Sequence, residues 1–364
     1  MTPEQREHLH QTLLWLCSIP SPIGEEERLC EAVHHRLQQL PLPEPIRRIA
    51  NSLVVPLVRH GKQEGQQAPF HIALVGHLDT VRAENGPARL EGDRCFGSGS
   101  SDMKSGLAVM MTLAERIALS MFVYDITLFF YAREEGPYAE NELGLVLEQI
   151  TDFPPIDLAV CMEPSDNRIH LGCMGSLHAR LEVEGRSAHS ARPWEGENAI
   201  LKTLPLLEDL ARVAPKECVV DGLTYRTVTS VTQIADGGRG RNVIPDRLTL
   251  NINHRFPPGV SLEKAEREVV SLVAGRARIS WIDKSPSAMP YAAHPLVQAL
   301  TKLGVRGIEP KQAWTDVARF AAKGIAAINF GPGENAQAHQ KNESTSLVLL
   351  EENFVLMRRW LTAP

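Results

Sequence analysis

Apolar positions follow two different rhythms along the chain. Before residue 175, helix-spaced positions are interleaved with short, nearly continuous apolar runs. Leu29, Val33, Leu37 and Leu40 repeat at helical spacing and predict a helix over 26–40. The runs at 72–75, 126–131 and 158–162 are short and nearly continuously apolar, as expected of strands buried on both faces of a mainly parallel sheet. A further helix is predicted over 104–118, where Leu107, Met110, Met111, Leu113 and Ala114 supply one apolar face.

After Gly175 the period drops to two. Leu177, Ala179, Leu181 and Val183 alternate with His178, Arg180, Glu182 and Glu184, which marks a half-exposed strand. A helix follows near 198–213, then strands near 227–234 and 247–255, a helix near 262–274 and a strand near 278–282. The order β-α-β-β-α-β is the ferredoxin-like arrangement. From about residue 291 the first rhythm resumes, with a helix over 295–303 and a core strand over 325–330. The expected fold class is therefore α/β with an inserted α+β domain. The expected boundaries are 1–176 and 289–364 for the two parts of the first domain, and 177–288 for the insertion.

Polar chemistry collects where the buried runs end. The first is followed by Gly76-His77-Leu78-Asp79, the second by Arg133-Glu134-Glu135, the third by Glu163-Pro164-Ser165 and the last by Gly331-Pro332-Gly333 and then His339. Ser101-Asp102-Met103-Lys104 sits just before a predicted helix. Taken singly these have plain explanations: Asp102 could cap its helix, and a Glu-Glu pair is usually a solvated face. Together they bring histidine and carboxylate donors to the carboxyl ends of strands, where open α/β sheets bind ligands. An N/O donor set without a cysteine cluster suits a catalytic metal site that keeps an open position. Two imidazoles and three carboxylates can hold two ions if one carboxylate bridges.

Composition narrows the classes. The net charge of −6 and an aromatic content of 5% argue against a nucleic-acid or anionic-membrane binder. No apolar run approaches the length of a membrane span. The six cysteines form no CxxC pair, and the polar N-terminus lacks a secretory pattern, so reduced thiols and a cytoplasmic location are expected.

Motifs along essentially the whole chain carry a resemblance to a known family. They are Ile19-Pro20-Ser21-Pro22-Ile23-Gly24-Glu25-Glu26, Gly76-His77-Leu78-Asp79-Thr80-Val81, the stretch from Gly97 to Gly106, Glu134-Glu135, Glu163-Pro164-Ser165, the stretch from Gly185 to Pro193, Gly240-Arg241-Asn242-Val243-Ile244-Pro245, and Gly331-Pro332-Gly333 before His339. The chain resembles the zinc aminoacylase and carboxypeptidase (M20-type) metallohydrolases, a group that includes acetylornithine deacetylases, glutamate carboxypeptidases and succinyl-diaminopimelate desuccinylases. Ser187-Ala188-His189-Ser190-Ala191-Arg192, Asn242-Val243-Ile244-Pro245-Asp246 and Trp314-Thr315-Asp316-Val317-Ala318-Arg319-Phe320 are most similar to the desuccinylase branch in its actinobacterial form. Met162 departs from the group, in which a glycine is usual.

The resemblance implies a zinc-peptidase-like catalytic domain and an inserted lid domain that also dimerises. It implies two zinc ions, with cobalt or manganese as substitutes: His77 and Glu163 on one, Glu135 and His339 on the other, and Asp102 bridging, with a cis peptide after it. Glu134 would be the general base, and Asp79 would accept a hydrogen bond from the His77 ring. His189 would reach the partner subunit's site as an oxyanion donor. Arg192, Arg241, Asn242, Arg255, Thr315 and Gly331 are the substrate-binding candidates. The expected reaction is hydrolysis of N-succinyl-LL-2,6-diaminopimelate by a homodimer without nucleic-acid or membrane partners. The alternatives are an acetylornithine deacetylase, aminoacylase or carboxypeptidase of the same mechanism, and a metal-stabilised binding scaffold that is not an enzyme.

Overall fold

The computed structural model describes residues 1–60, 69–83, 85–238 and 240–362. The chain divides into two compact units. The first comprises Met1–Leu171, Tyr291–Glu309 and Arg319–Pro364; the second comprises Gly172–Pro290 and Pro310–Ala318. Residues 310–318 thus fall outside the 177–288 block expected from the sequence, and local bonding explains why. The Gln312 amide accepts from the Arg226 N–H at 3.1 Å and donates to the Arg226 carbonyl. Trp314 Nε1 donates to the Pro286 carbonyl at 3.0 Å.

The first unit begins with α1 (Pro3–Ser18) and α2 (Glu27–Leu37). Thr2 and Gln5 form a reciprocal capping box at the start of α1, and Pro3 occupies the first turn, where its missing N–H costs nothing. There follow β1 (Arg47–Ile49), β2 (Ser52–Val58), β3 (His71–His77), β4 (Arg89–Glu91), β5 (Arg94–Phe96), α3 (Lys104–Arg116), β6 (Asp125–Tyr131), α4 (Glu142–Gln149), β7 (Leu158–Cys161) and β8 (Ile169–Leu171).

The second unit contributes β9 (Gly175–Glu184), α5 (Ala199–Arg212), β10 (Lys216–Val220), β11 (Leu223–Asp236), β12 (Arg247–Phe256), α6 (Leu262–Val273) and β13 (Arg278–Ser285). The remaining elements are α7 (Pro295–Thr301), β14 (Ile308–Pro310), α8 (Val317–Ala322), β15 (Ala326–Asn329), β16 (Ser344–Ser346) and α9 (Leu347–Thr362).

The main sheet has the order β1-β2-β6-β3-β7-β15-β8-β14. Its centre is parallel. β3 pairs with β6 (His77↔Tyr131) and with β7 (Val75↔Cys161), and β7 pairs with β15 (Cys161↔Asn329). Four neighbouring strands therefore end on one edge, which is the edge that the histidine and carboxylate motifs follow. α3 packs so tightly behind this edge that two glycines are required. A Cβ at Gly76 would lie 2.4 Å from Leu107 Cδ2, and one at Gly106 would lie 2.5 Å from the Met162 carbonyl. A separate three-stranded sheet, β16-β5-β4, brings the chain beyond His339 beside residues 94–96.

In the second unit the sheet order is β10-β11-β12-β9-β13. Without β10 this is the ferredoxin-like order, with a helix after the first and third of its strands. The inward residues of β9 and β12, including Leu177, Leu181, Leu250 and Ile252, share one buried cluster with Leu206 and Leu210 of α5 and Val269 and Val273 of α6. Burying each such side chain stabilises by about 1.5–3 kcal/mol. Asn198 and Ser261 cap the two helices. β10 was not predicted; it forms a hairpin with β11 through Asp221 and Gly222, both at positive φ.

Candidate metal centre

Each parallel strand is followed by a donor, three of them at or just after the last residue and the fourth through a longer segment. His77 ends β3, Glu134 and Glu135 follow β6 by a short turn, Glu163 lies two residues past β7, and His339 follows β15 through the Gly331-Pro332-Gly333 segment. Asp102 precedes α3, and the Asp102–Met103 peptide is cis. All six residues belong to the first unit.

The His77 ring is fixed by its environment. Its Nδ1–H donates to the main-chain carbonyl of Asp79 at 3.0 Å, which leaves Nε2 without that proton in the neutral ring. Nε2 lies 3.3 Å from Asp102 Oδ1. The other Asp102 oxygen, Oδ2, lies 3.5 Å from His339 Nε2, and His339 Nε2 is also 2.9 Å from Glu135. Asp102 therefore sits between the two imidazoles and turns one oxygen to each. His77, Asp102 and Glu163 present donor atoms within 4.8 Å of one another, as do Asp102, Glu135 and His339. The two groups share Asp102. His77, Glu134 and Glu135 form a third group on the same criterion.

Asp79 differs in detail from the sequence expectation. Its carboxylate is 3.6 Å from the His77 ring, beyond hydrogen-bond reach, and only its backbone carbonyl holds the ring. The carboxylate instead accepts the backbone N–H of Glu134 at 3.0 Å and of Glu135 at 2.9 Å. The reason is local: the turn after β6 presents two adjacent amides that need an acceptor inside the protein, and Asp79 is fully buried beside them.

The electrostatics favour cations. Five carboxylates (Asp79, Asp102, Glu134, Glu135 and Glu163) cluster around two imidazoles, with His77, Asp79 and Glu163 buried. Burial alone would push the His77 imidazole down, but Asp102, Asp79, Glu134 and Glu163 outweigh it and hold its pKa well above the ordinary value. His339 is pushed up to about 9 by its hydrogen bond to Glu135, against burial and with the added charge of Asp102. Both shifts record the excess of negative charge around the two rings. The donor types, their clustering and this charge excess fit a pair of divalent ions.

Two glycines and one glutamate shape the site from behind. A Cβ at Gly331 would come within 2.2 Å of the Met162 carbonyl and 2.5 Å of the Glu163 carbonyl, and one at Gly333 would meet the Ser101 carbonyl at 2.1 Å. The Gly331 N–H donates to Ser165 Oγ at 3.0 Å. Its glycine is accounted for by packing against the backbone that carries Glu163. Glu343 went unnoticed in the sequence. It is buried, its pKa is raised to about 7 by burial, and its carboxylate accepts the backbone N–H groups of Gly99, Ser101 and Asp102. An Asn-Glu pair four residues beyond His339 gave no periodic or spacing signal to mark it.

The remaining candidates lie in the second unit. His189 and Asn242 are on adjoining loops: the Ser190 N–H donates to the Asn242 carbonyl at 2.8 Å, and His189 bridges Val243. The Ala191 N–H donates to His189 Nδ1 at 3.0 Å, so the neutral ring carries its proton on Nε2. Arg192 and Arg241 are exposed, and Thr315 is buried. Arg255 is half-buried, and its Nε donates to Asn253 Oδ1 at 2.8 Å.

Known proteins are similar to this chain over most of its length. The profile of peptidase family M20/M25/M40 matches residues 73–363. A Corynebacterium glutamicum protein named succinyl-diaminopimelate desuccinylase is 34% identical over 355 residues, 95% of this chain and 94% of its own length. A Mycobacterium tuberculosis protein that carries the same name provisionally is 37% identical over 348 residues, 95% of this chain and 96% of its own. An M20 family metallo-carboxypeptidase from Sulfolobus solfataricus has the same fold, with a TM-score of 0.78 at 14% identity over 97% of this chain and 98% of its own.

Proposed function

The chain belongs to peptidase family M20/M25/M40, and from that premise we propose that it hydrolyses N-succinyl-LL-2,6-diaminopimelate to succinate and LL-2,6-diaminopimelate, a step of diaminopimelate and lysine synthesis. The observation that carries the reading is the placement of Asp102, one oxygen toward each imidazole, in a chain related over 95% of its length to proteins named for that reaction.

His77 and Glu163 would hold one divalent ion and Glu135 and His339 the other, with Asp102 shared between them. Zinc suits this donor set, and cobalt or manganese can replace it. When bound, such a pair supplies Lewis acidity that brings the pKa of water toward neutrality. Glu134 takes the proton from the attacking water and returns it to the leaving amine nitrogen as the C–N bond breaks. Asp79 orients this base by gripping its backbone N–H. His189, with Nε2 as its donor, would stabilise the carbonyl oxygen as negative charge develops.

The substrate carries three carboxylates, which suits arginine. Arg255 is the strongest candidate: Asn253 occupies its Nε and leaves the Nη pair to face a carboxylate. Arg192, Arg241 and Asn242 would add to recognition. Thr315, being buried, would contribute only where the substrate reaches it.

A homodimer through the second unit is part of the proposal. β10 covers only residues 223–227 of β11, so among the described residues no strand pairs with the outer edge of 228–236. Val231 and Ile234 are exposed on that half-strand, as are Ile200, Leu201 and Leu204 on α5. An open edge flanked by apolar residues is a surface that proteins usually cover. Among the described residues no helix is long and apolar enough to cross a membrane.

The test is incubation of the zinc-loaded protein with N-succinyl-LL-2,6-diaminopimelate, with and without a chelator, with succinate followed by mass spectrometry. Chelator-sensitive release of succinate supports the proposal. Binding without turnover would favour the scaffold alternative, and turnover of N-acetylornithine alone would move the enzyme to acetyl substrates.

A further inference from the structure

We infer that Glu343 is a positioning residue that fixes Asp102 between His77 and His339. The inference rests on the metal-centre reading and extends it to a residue outside the donor set.

Glu343 is only 3% exposed, and the buried Lys104 ammonium feels its charge. Its acceptors are spent on main chain. Oε2 accepts the Gly99 N–H at 2.8 Å, and Oε1 accepts the N–H groups of Ser101 at 2.8 Å and Asp102 at 2.9 Å. Successive amides converging on one acceptor form an anion-binding concavity, and Gly97 and Gly99, at φ +147° and +77°, give the backbone the freedom to make it.

The same residue is tied to the same loop through its own backbone. The Gly97 N–H donates to the Glu343 carbonyl at 3.1 Å. The Glu343 N–H donates to Asn85 Oδ1 at 2.8 Å, and the Asn85 amide donates to Ser98 Oγ at 3.0 Å. β16 begins at the next residue and pairs Ser344 with Phe96. The short segment from His339 to Glu343 therefore does two things at once: it supplies the His339 imidazole and it clamps residues 97–102, which carry Asp102. Holding the Asp102 N–H sets where its Cα sits and where its carboxylate points. Groups behind a metal donor that orient it in this way typically contribute about 10–100-fold to affinity or activity.

The experiment uses the full chain stripped of metal, with Co2+ as probe. Binding is measured by calorimetry, the saturated complex by its visible absorption spectrum, and folding by the Tm of the metal-free protein. In Glu343→Gln, one amide oxygen can still serve Ser101 and Asp102, but the NH2 group opposes the Gly99 N–H; Glu343→Ala removes all three bonds. Weaker Co2+ binding is expected in the order Ala, then Gln, then wild type, by about 10–100-fold for Gln, with an altered spectrum at saturation. A folded Glu343→Gln with wild-type affinity and spectrum would overturn the inference and leave Glu343 a purely structural residue. If neither variant folds, Asn85→Ala loosens Glu343 from outside: a weaker affinity in the same direction supports the inference, and none overturns it. Failure of the wild-type protein to bind Co2+ would instead count against the metal centre itself.

Discussion

The carboxylate of Asp79 accepts the backbone N–H of Glu135 at 2.9 Å, while its second oxygen accepts that of Glu134 at 3.0 Å. One buried anion at the end of β3 thus orients two acidic residues at the end of β6, and its own carbonyl holds the His77 ring. Asp79→Asn keeps one acceptor and sets an NH2 donor against the other amide. The expected result is a drop in kcat/KM of about 10–100-fold with unchanged circular dichroism. Unaltered kinetics would mean that the grip on this turn does not matter to the site.

Glu134 is assigned the proton transfer, whereas Glu135 is assigned to an ion. Glu134→Gln is expected to lower kcat by at least about 10²–10⁴-fold while the metal content stays at the wild-type value. Loss of metal in this variant would show that Glu134 is a ligand and not the base.

His189 lies in the second unit, and the proposal gives it to the partner's site. His189→Ala is expected to lower kcat by about 10²–10³-fold. Mixing His189→Ala with Glu134→Gln subunits then separates the two arrangements. If the histidine acts across the dimer, hybrids regain one complete site, and a random mixture recovers about a quarter of wild-type activity. No recovery from a mixture shown to exchange subunits would place His189 in its own subunit's site.

Much of the fold was legible in the sequence. The apolar runs marked β3, β6 and β7 because strands buried on both faces are mostly apolar, and nearly every residue of the three is buried. The donors stood out because they interrupt such runs at the ends. Other parts lay beyond local pattern. β10 is mostly exposed and five residues long, so it has little apolar signature; its only sign was the Asp221-Gly222 pair, a dipeptide that favours tight hairpins. Strand order is set by long-range pairing, and the three-residue strands β4, β5 and β16 are too short to show any period. Glu343 acts through backbone amides far away in sequence, and no spacing rule could find it.

His71 provides a pH prediction away from the centre. It is buried, its Nδ1 donates to the Pro155 carbonyl at 3.1 Å, and its Nε2 meets Thr127 Oγ1 at 2.8 Å. Burial, aided by the nearby Arg59 charge, lowers its pKa in the folded protein. A lowered folded pKa means that the unfolded chain takes up a proton the folded ring refuses. Its contribution to stability is therefore complete above the ordinary histidine pKa of about 6.5 and is lost as pH falls through the folded value. The Tm of metal-free protein is expected to fall more steeply below that pH in wild type than in His71→Asn. Parallel slopes would contradict this assignment.

The most direct test of the whole account is the ratio of kcat/KM for N-succinyl-LL-2,6-diaminopimelate to that for N-acetylornithine, measured on the zinc-loaded enzyme. The account predicts a strong preference for the succinyl compound, at least on the order of 10²-fold, since the acetyl compound leaves carboxylate-binding groups unpaired. Equal turnover of the two, or preference for the acetyl compound, would contradict it.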